Sequence, residues 1–448
     1  MESSEVPGFY HALRGENPIN ESFTMPLAAI ALELPEHCVH AVAQDTDADG
    51  RDEIVVGCRT LRQDGPDGLA LTLLDFDDQG RLRDTDLIDL GTRAMLWDGR
   101  YAVDGAGLVS LTPRGRLASK TTPLASLGDT TPAWAPLRVE LNGAPVLLLW
   151  AGGQYHLYSE SGDALASVKA PSTGELEARD RAGGFGLDQT LRAPPLAIGD
   201  VDGDGSEDLI LPVGDQATVW FSRGGDLAVE QAVLTLPKRI EARDGDDERW
   251  VTAVAWEDLD GDGRVDLLLS EMTGDGSFFG STAELSWYRG TGTGFERVQA
   301  LSTGTGSWEV YLRDVDGDGD LDLVIPQVDI GVTSLARGLV SKRIPVQLSL
   351  FLNDGGSFDG GRVILQTFVD LEEPNTAWTV DADLDADGRA ELVYIEGESL
   401  VVRTLEGVDL GVLDARGATE LLTADVDGDG VREVFAWGDE GALLVSLD

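Results

Sequence analysis

Apolar positions along this chain come in short runs, not in helical stripes. A short apolar segment such as WVTAVAWED or TELLTAD leads into an acidic loop, and a continuous aliphatic run such as DLLLS or DLVIP leaves it. A more alternating segment follows, as in AELSWYRG, QLSLFLND or YHLYSES, and then a turn and a fourth segment such as RVILQTFV. Continuous apolar runs bounded by Gly and Asp predict strands covered on both faces, and alternation predicts strands with one face in water. Helical periodicity is scarce, with TSLARGLVSK at 333–342 as its one candidate.

The acidic loops repeat. DTDADGRDEI starts at Asp45, DVDGDGSEDLIL at Asp200, DLDGDGRVDLLL at Asp258, DVDGDGDLDLVI at Asp314, DLDADGRAELVY at Asp383 and DVDGDGVREVFA at Asp425. These are loops 1 to 6 (45–53, 200–208, 258–266, 314–322, 383–391 and 425–433), and all read D-x-D-x-D-G-x-x-[DE] before an apolar run. Two worn copies fill the long gap after loop 1: AMLWDGRYAV, with Asp98-Gly99, and RVELNGAPVLLLW, with Asn142-Gly143. The eight Asp-Gly or Asn-Gly pairs are spaced 49, 44, 62, 58, 56, 69 and 42 residues apart. Repeated four-stranded units of this length predict an all-β fold, a single β-propeller of eight blades. Seven is the alternative if one worn unit is not a blade. After loop 6 only EVFAWG and ALLVSL remain, so the early strand in MPLAAIALELP is expected to complete the last blade and close the ring. Residues 1–22 then form an N-terminal extension and 23–448 the propeller.

The spacing within each loop selects a chemistry. Aspartates at positions 1, 3 and 5 turn three carboxylates toward one point, and Gly at position 6 permits a positive φ. Hard oxygen donors in that number suit Ca²⁺. Zinc does not fit, because no His or Cys belongs to any loop. An EF-hand would need a bidentate Glu at position 12, where this chain has Val56, Leu211, Leu269, Ile325, Tyr394 and Ala436. The carboxylate stands instead at position 9, where the next strand begins.

That pattern, repeated in strand-rich units from residue 45 to 433, resembles the FG-GAP/VCBS repeats of integrin-α-type β-propellers. The resemblance implies about six Ca²⁺ sites, each held by the side chains at positions 1, 3, 5 and 9 and the carbonyl at position 7. The implied side-chain ligands are Asp45, Asp47, Asp49 and Glu53 in loop 1, and Asp200, Asp202, Asp204 and Asp208 in loop 2. Loop 3 supplies Asp258, Asp260, Asp262 and Asp266, and loop 4 Asp314, Asp316, Asp318 and Asp322. Loop 5 supplies Asp383, Asp385, Asp387 and Glu391, and loop 6 Asp425, Asp427, Asp429 and Glu433. The implied carbonyls are those of Arg51, Ser206, Arg264, Asp320, Arg389 and Val431. The unit at 98 lacks carboxylates at positions 1 and 3, and the unit at 142 keeps only Glu140 and Asn142, so neither is expected to bind calcium.

By the same resemblance, a ligand face lies opposite the calcium loops, where the innermost strands begin. Trp250, Trp308 and Trp378 stand shortly before loops there, with Arg249, Glu309 and Asn375 as polar neighbours. Such tryptophans serve either as platforms for a sugar or a protein hot spot, or as wedges between blades. The insertion from Val328 to Arg343 falls on that face as a lid or as elaboration.

Charge narrows the function. With 81 acidic residues against 33 basic, a formal charge of −48 and only four lysines, the chain should repel nucleic acid and anionic membranes. No apolar run reaches the roughly 18 residues of a membrane span. Catalytic signatures are thin: four histidines, His11, His37, His40 and His156, stand near no recognised nucleophile. Cys38 and Cys58 flank loop 1, either as a disulfide between antiparallel strands or as two buried thiols. The expectation is a calcium-braced, non-catalytic recognition module for a surface protein or a glycan. It would work outside the cytoplasm, at the cell surface or in the periplasm, once a leader missing from this sequence is removed. The alternatives are a polysaccharide lyase, with Arg249 or Arg192 receiving uronate charge, and a structural module of a surface assembly.

Overall fold

The computed structural model describes residues 27–35, 37–45, 49–60, 68–91, 94–96, 101–104, 107–113, 117–123, 138–151, 153–159, 161–170, 173–181, 184–192, 195–223, 226–240, 249–273, 282–303, 310–328, 342–370, 377–384, 386–438 and 441–447. The 1–22 extension, Asp98-Gly99 and all of the helical candidate except Lys342 lie outside these residues.

Every sheet is antiparallel, and within almost all of them each strand pairs with its neighbour in sequence. The sheet carrying loop 3 is typical: Arg249–Glu257, Asp266–Thr273, Thr282–Gly290 and Phe295–Ser302 pair in chain order, and loop 3 joins the first two. The last sheet takes strands from both ends of the chain. Leu27–Leu32 pairs antiparallel with Gly441–Leu447, from Leu27 opposite Leu447 to Leu32 opposite Ala442. The expected use of the N-terminal strand as the fourth strand of the last sheet is thus observed.

The propeller has seven blades, and the expectation of eight is corrected. Among the described residues seven sheets have four strands, whereas the unit carrying loop 2 forms a three-stranded sheet of Ala197–Gly199, Asp208–Arg223 and Asp226–Ile240. The second strand of that sheet runs on through Gly214, at φ 65°, as a single element of 16 residues. Segments that elsewhere make a second and a third strand are one strand here. Between the third sheet and this unit, Thr173–Arg181 and Gly184–Arg192 pair as a separate two-stranded ribbon. Neither worn unit is the one that falls short, because both form four-stranded sheets.

The aliphatic runs explain how the sheets stack. Leu392 and Tyr394 pack with Val324, Leu348 and Leu350 of the preceding sheet, while Val393 and Ile395 pack with Val434, Ala436 and Val445 of the following one. Successive side chains of a strand point to opposite faces, so a run with no polar residue fills two interfaces at once. The same division recurs after loop 3, where Leu267 and Leu269 meet Ile210 and Val219, and Leu268 meets Leu323 and Ile325. Each fully buried Leu or Ile contributes about 1.5–3 kcal/mol to this stacking. A further core cluster joins the first sheet to the last, with Ile54, Val56 and Phe76 against Val426, Phe435 and Trp437. Cys38 and Cys58 face each other across the first two strands of the first sheet and form a disulfide.

Candidate metal loops

Each acidic loop is wired by its own carboxylates in one pattern. The position-1 aspartate gathers the turn: Asp200 accepts from the N–H groups of Gly203 and Gly205, both at 2.7 Å. Asp314 accepts from Gly317 and Gly319 at 2.8 and 3.0 Å, and Asp425 from Gly428 and Gly430 at 2.7 and 3.0 Å. Asp45, Asp258 and Asp383 hold the N–H of positions 5 and 6 in the same way. The position-5 aspartate accepts from the N–H of position 7, as Asp204 does from Ser206 and Asp318 from Asp320, both at 2.9 Å. The glycine at position 6 has φ between 82° (Gly205) and 96° (Gly319) in all six loops, a region that Gly enters without the steric cost of a Cβ. Position 4 is left-handed too, with Gly203, Gly261, Gly317 and Gly428 at 71–78° and Ala386 at 58°.

The position-9 carboxylate has a different task. Asp208, Asp266 and Asp322 are fully buried, and Glu53, Glu391 and Glu433 nearly so. Asp322 accepts from the N–H of Val315 at 3.0 Å and, across the next hairpin, from Asn353 at 2.8 Å. Asp208 does the same with Val201 and Ser222 at 3.0 and 2.8 Å. Asp266 accepts from Leu259 and Gly290 and from the indole N–H of Trp287. Burial pushes Asp208, Asp266 and Asp322 up to about 6 and Glu433 up to about 7, against the pull of these donors. Burial first and neighbouring carboxylates second also raise Asp316 and Asp427 at position 3. Removing charged groups from water and crowding like charges both favour protonation. A bound dication would reverse both effects.

The carboxylates converge three at a time. Asp200, Asp202 and Asp208 each bring an oxygen within 4.8 Å of the other two, as do Asp314, Asp316 and Asp322. In loops 3 and 6 the three are Asp258, Asp260 and Asp262, and Asp425, Asp427 and Asp429. Asp47 and Asp385, at position 3 of loops 1 and 5, lie outside the described residues. Among the described residues two oxygens in these clusters are orphans: Asp202 Oδ1 and Asp316 Oδ1 are buried and accept no hydrogen bond. A buried carboxylate oxygen with no donor costs free energy unless a cation meets it. Position-3 oxygens turned inward beside other carboxylates therefore fit a hard divalent ion. Arginines answer some of the charge: Arg223 reaches Asp202 at 2.7 Å and Asp204 at 2.5 Å, and Arg289 pairs with Asp260. Residues at position 7 contribute their N–H to this wiring, Arg51, Ser206, Arg264, Asp320, Arg389 and Val431 alike.

Neighbouring loops are also joined. The position-8 N–H of one loop donates to the start of the preceding one, Val265 to the carbonyl of Asp200 at 2.7 Å and Ala390 to that of Val315 at 3.0 Å. Asp52 donates to the carbonyl of Asp425 at 2.7 Å, and the Asp52 carboxylate accepts from the Asp425 N–H. Glu207 donates to the side chain of Asn142, in the worn unit. Sequence reading missed these links and the position-9 bonds. Position 8 varies among Asp, Glu, Val, Leu, Ala and Arg because the link made by its backbone N–H requires no particular side chain.

The predicted ligand face is only partly described. Trp308, Glu309 and Asn375 lie outside the described residues, and Arg249 and Trp250 are placed only as the first residues of Arg249–Glu257. Trp378 opens the strand Trp378–Ala382, half-buried, with its ring centroid 4.6 Å from that of Tyr311. It packs against the core cluster and also borders a cavity.

Comparison with known families matches residues 258–325 to the FG-GAP-like repeat, a stretch that runs from the start of loop 3 past the end of loop 4. The protein is a β-propeller containing an FG-GAP-like repeat. No curated protein matches the chain. Among solved structures, it is similar to a lectin of Agrocybe aegerita that recognises non-reducing terminal N-acetylglucosamine, at 17% identity, covering 84% of this chain and 94% of the lectin, with a TM-score of 0.40. It is similar to the β-propeller domain of Cps50 (Swd1) of Myceliophteria thermophila at 12% identity, covering 94% of this chain and 100% of that domain, with a TM-score of 0.39. The biofilm matrix protein Bap1 of V. cholerae matches at 11% identity, covering 93% of this chain and 88% of Bap1, with a TM-score of 0.32. Scores of this size speak to neither ligand nor partner.

Proposed function

We propose that the protein is a calcium-braced recognition module that binds a surface protein or a glycan and catalyses no reaction. Calcium would occupy about six loops, held by the carboxylates at positions 1, 3, 5 and 9 and the position-7 carbonyl. The observation that carries the calcium reading is the pair of buried, unpartnered oxygens, Asp202 Oδ1 and Asp316 Oδ1, each inside a cluster of converging carboxylates. Calcium holding those oxygens would make the loops rigid, and pairing of the two chain ends would make the ring closed. Such a ring is a stable frame for surface residues. The disulfide supports a site of action outside the cytoplasm, where oxidised cysteines persist and free calcium is high. No helix is long and apolar enough to cross a membrane among the described residues.

The test is affinity capture from a cell-surface extract, in millimolar calcium and again in EDTA. A protein or glycan retained only with calcium is the expected result. A polysaccharide returned shortened would replace this reading with a lyase, and no retention under either condition would leave a structural module.

A further inference from the structure

The first strands of three consecutive sheets, Tyr311–Arg313, Trp378–Ala382 and Ala418–Ala424, border a cavity of about 320 Å³. Its wall changes character from one side to the other. Tyr311 and Trp378 form one side, with ring planes 72° apart. The other side carries Arg313, Asp381, Thr423 and Arg432. Two guanidinium groups against one carboxylate leave this wall with one net positive charge, in a chain whose formal charge is −48.

The two arginines are not equivalent. Arg313 is ion-paired with Asp381 and lies in the field of Glu257, whose pKa burial raises against the smaller opposing pull of Arg313. Arg432 donates to Thr423 Oγ1 at 3.3 Å and has no ion pair among the described residues. It also borders a second cavity of about 390 Å³, which shares Arg313 and Asp381 with the first. A cation kept at a cavity edge with no carboxylate of its own is a ready partner for an anion. A single negative charge would balance the wall, whereas a phosphate dianion would exceed it and face Asp381.

We infer that this cavity is a sugar subsite selecting a carboxylated hexose, a hexuronate, with the apolar ring face on Trp378 and Tyr311 and the carboxylate on Arg432. The inference rests on the recognition reading above and names the glycan class. An aromatic surface takes the C–H face of a pyranose, and the planar guanidinium fork matches a carboxylate in geometry and charge. Asp381 and Thr423 remain within the same wall to meet ring hydroxyls. The volume sits at the small end of ligand pockets, which suits one sugar ring and not an oligomer.

The experiment titrates the full chain in millimolar calcium with glucuronate and with glucose, read by saturation-transfer NMR and calorimetry. Glucuronate is expected to bind about tenfold tighter than glucose, the factor of one charge-assisted bond of about 1.4 kcal/mol. Arg432→Gln should remove that preference, bringing glucuronate down to the affinity of glucose. Trp378→Ala should weaken both sugars together. Arg432 is exposed, so the variant is expected to keep the wild-type melting temperature, and Thr423→Val serves as a second perturbation of the same guanidinium. Equal binding of the two sugars, or a preference that survives Arg432→Gln, overturns the subsite. If affinity capture meanwhile retains a neutral glycan or a protein, the recognition reading stands while the subsite falls.

Discussion

The turn at Asn142 and loop 4 join a first strand to a second strand in sheets of the same order, and they do it by opposite means. In the worn unit, Arg138–Leu141 pairs with Ala144–Ala151 through a two-residue turn, with Leu141 opposite Ala144 and Asn142 and Gly143 at φ 56° and 68°. Two positive φ values and an Asn-Gly pair make the tight turn whose twist matches antiparallel strands. Its side chain then ties the unit to the next sheet, with Asn142 Nδ2 donating to Ser222 Oγ at 2.9 Å and Oδ1 accepting from Glu207 at 2.8 Å. Loop 4 spends nine residues and five carboxylates on the same connection. Asp314 gathers N–H groups, Asp322 anchors the strand, and Asp316 keeps an oxygen that no described residue satisfies. The short turn is complete in itself, whereas the long loop keeps a buried oxygen that, on the calcium reading, a cation would meet.

Removing metal should therefore separate the two regions, and it should be the largest effect. A site that binds only the native state adds about 2.7 kcal/mol at a hundredfold excess over Kd. EDTA should thus lower the melting temperature by about 10 °C or more when several loops empty together. Amide exchange should quicken at 200–208, 258–266, 314–322 and 425–433, and remain slow in the core of 138–170. Equal loss of protection in both regions would end the contrast.

Within loop 4 the two carboxylate roles can be told apart. Asp322→Ala strands the buried N–H groups of Val315 and Asn353, and should cost about 3 kcal/mol in urea melts even in EDTA. Asp316→Ala removes an unpartnered oxygen, so it should be near neutral in EDTA and should abolish the stabilisation that calcium gives at that loop. Matching calcium dependence in the two variants would show that position 9 has no separate structural task.

How much of this was legible follows from what the chemistry constrains. Loop positions 1, 3, 5, 6 and 9 were readable because only carboxylates and a left-handed glycine satisfy them, and because they recur in register. The strands were readable because a run such as LVYI at 392–395 must bury alternate residues in two interfaces. The blade count was not, because whether DLILPVGDQATVWFSR makes one strand or two depends on how Gly214 is accommodated, and no residue type announces that. The loop-to-loop bonds of Val265, Ala390 and Asp52 use backbone groups and leave no signature at all. Trp378 was found for its aromatic bulk, but Arg432, inside loop 6, resembled any other solvent-facing residue until the fold placed it beside Thr423.

The worn unit has a pH signature of its own. Tyr155 is fully buried in the sheet that the Asn142 turn begins, and burial pushes its phenol up to about 12. The native state thus holds a proton that the unfolded chain releases near pH 10. That contribution is complete below pH 10 and is lost as the pH rises toward 12. About 2–3 kcal/mol of stability should disappear across that window, with or without calcium. Tyr155→Phe should flatten the alkaline limb of a stability–pH curve, and an unchanged limb would place the titration elsewhere.

The smallest effect expected is at the turn itself. Asn142→Ala puts a Cβ-bearing residue without a polar side chain at φ 56° and strands the hydroxyl of buried Ser222. Left-handed strain and the lost bonds together should cost about 2 kcal/mol. The decisive feature is the comparison of conditions: the loss should be the same in calcium and in EDTA, because this turn is not expected to hold a metal. The side chain of Asn142 does touch the neighbouring acidic loop, through Glu207 at position 8 of loop 2. A deficit that grows when calcium is present would mean that this contact helps to shape the loop 2 site. The worn turn would then be part of the calcium system, and its independence would hold only for its backbone.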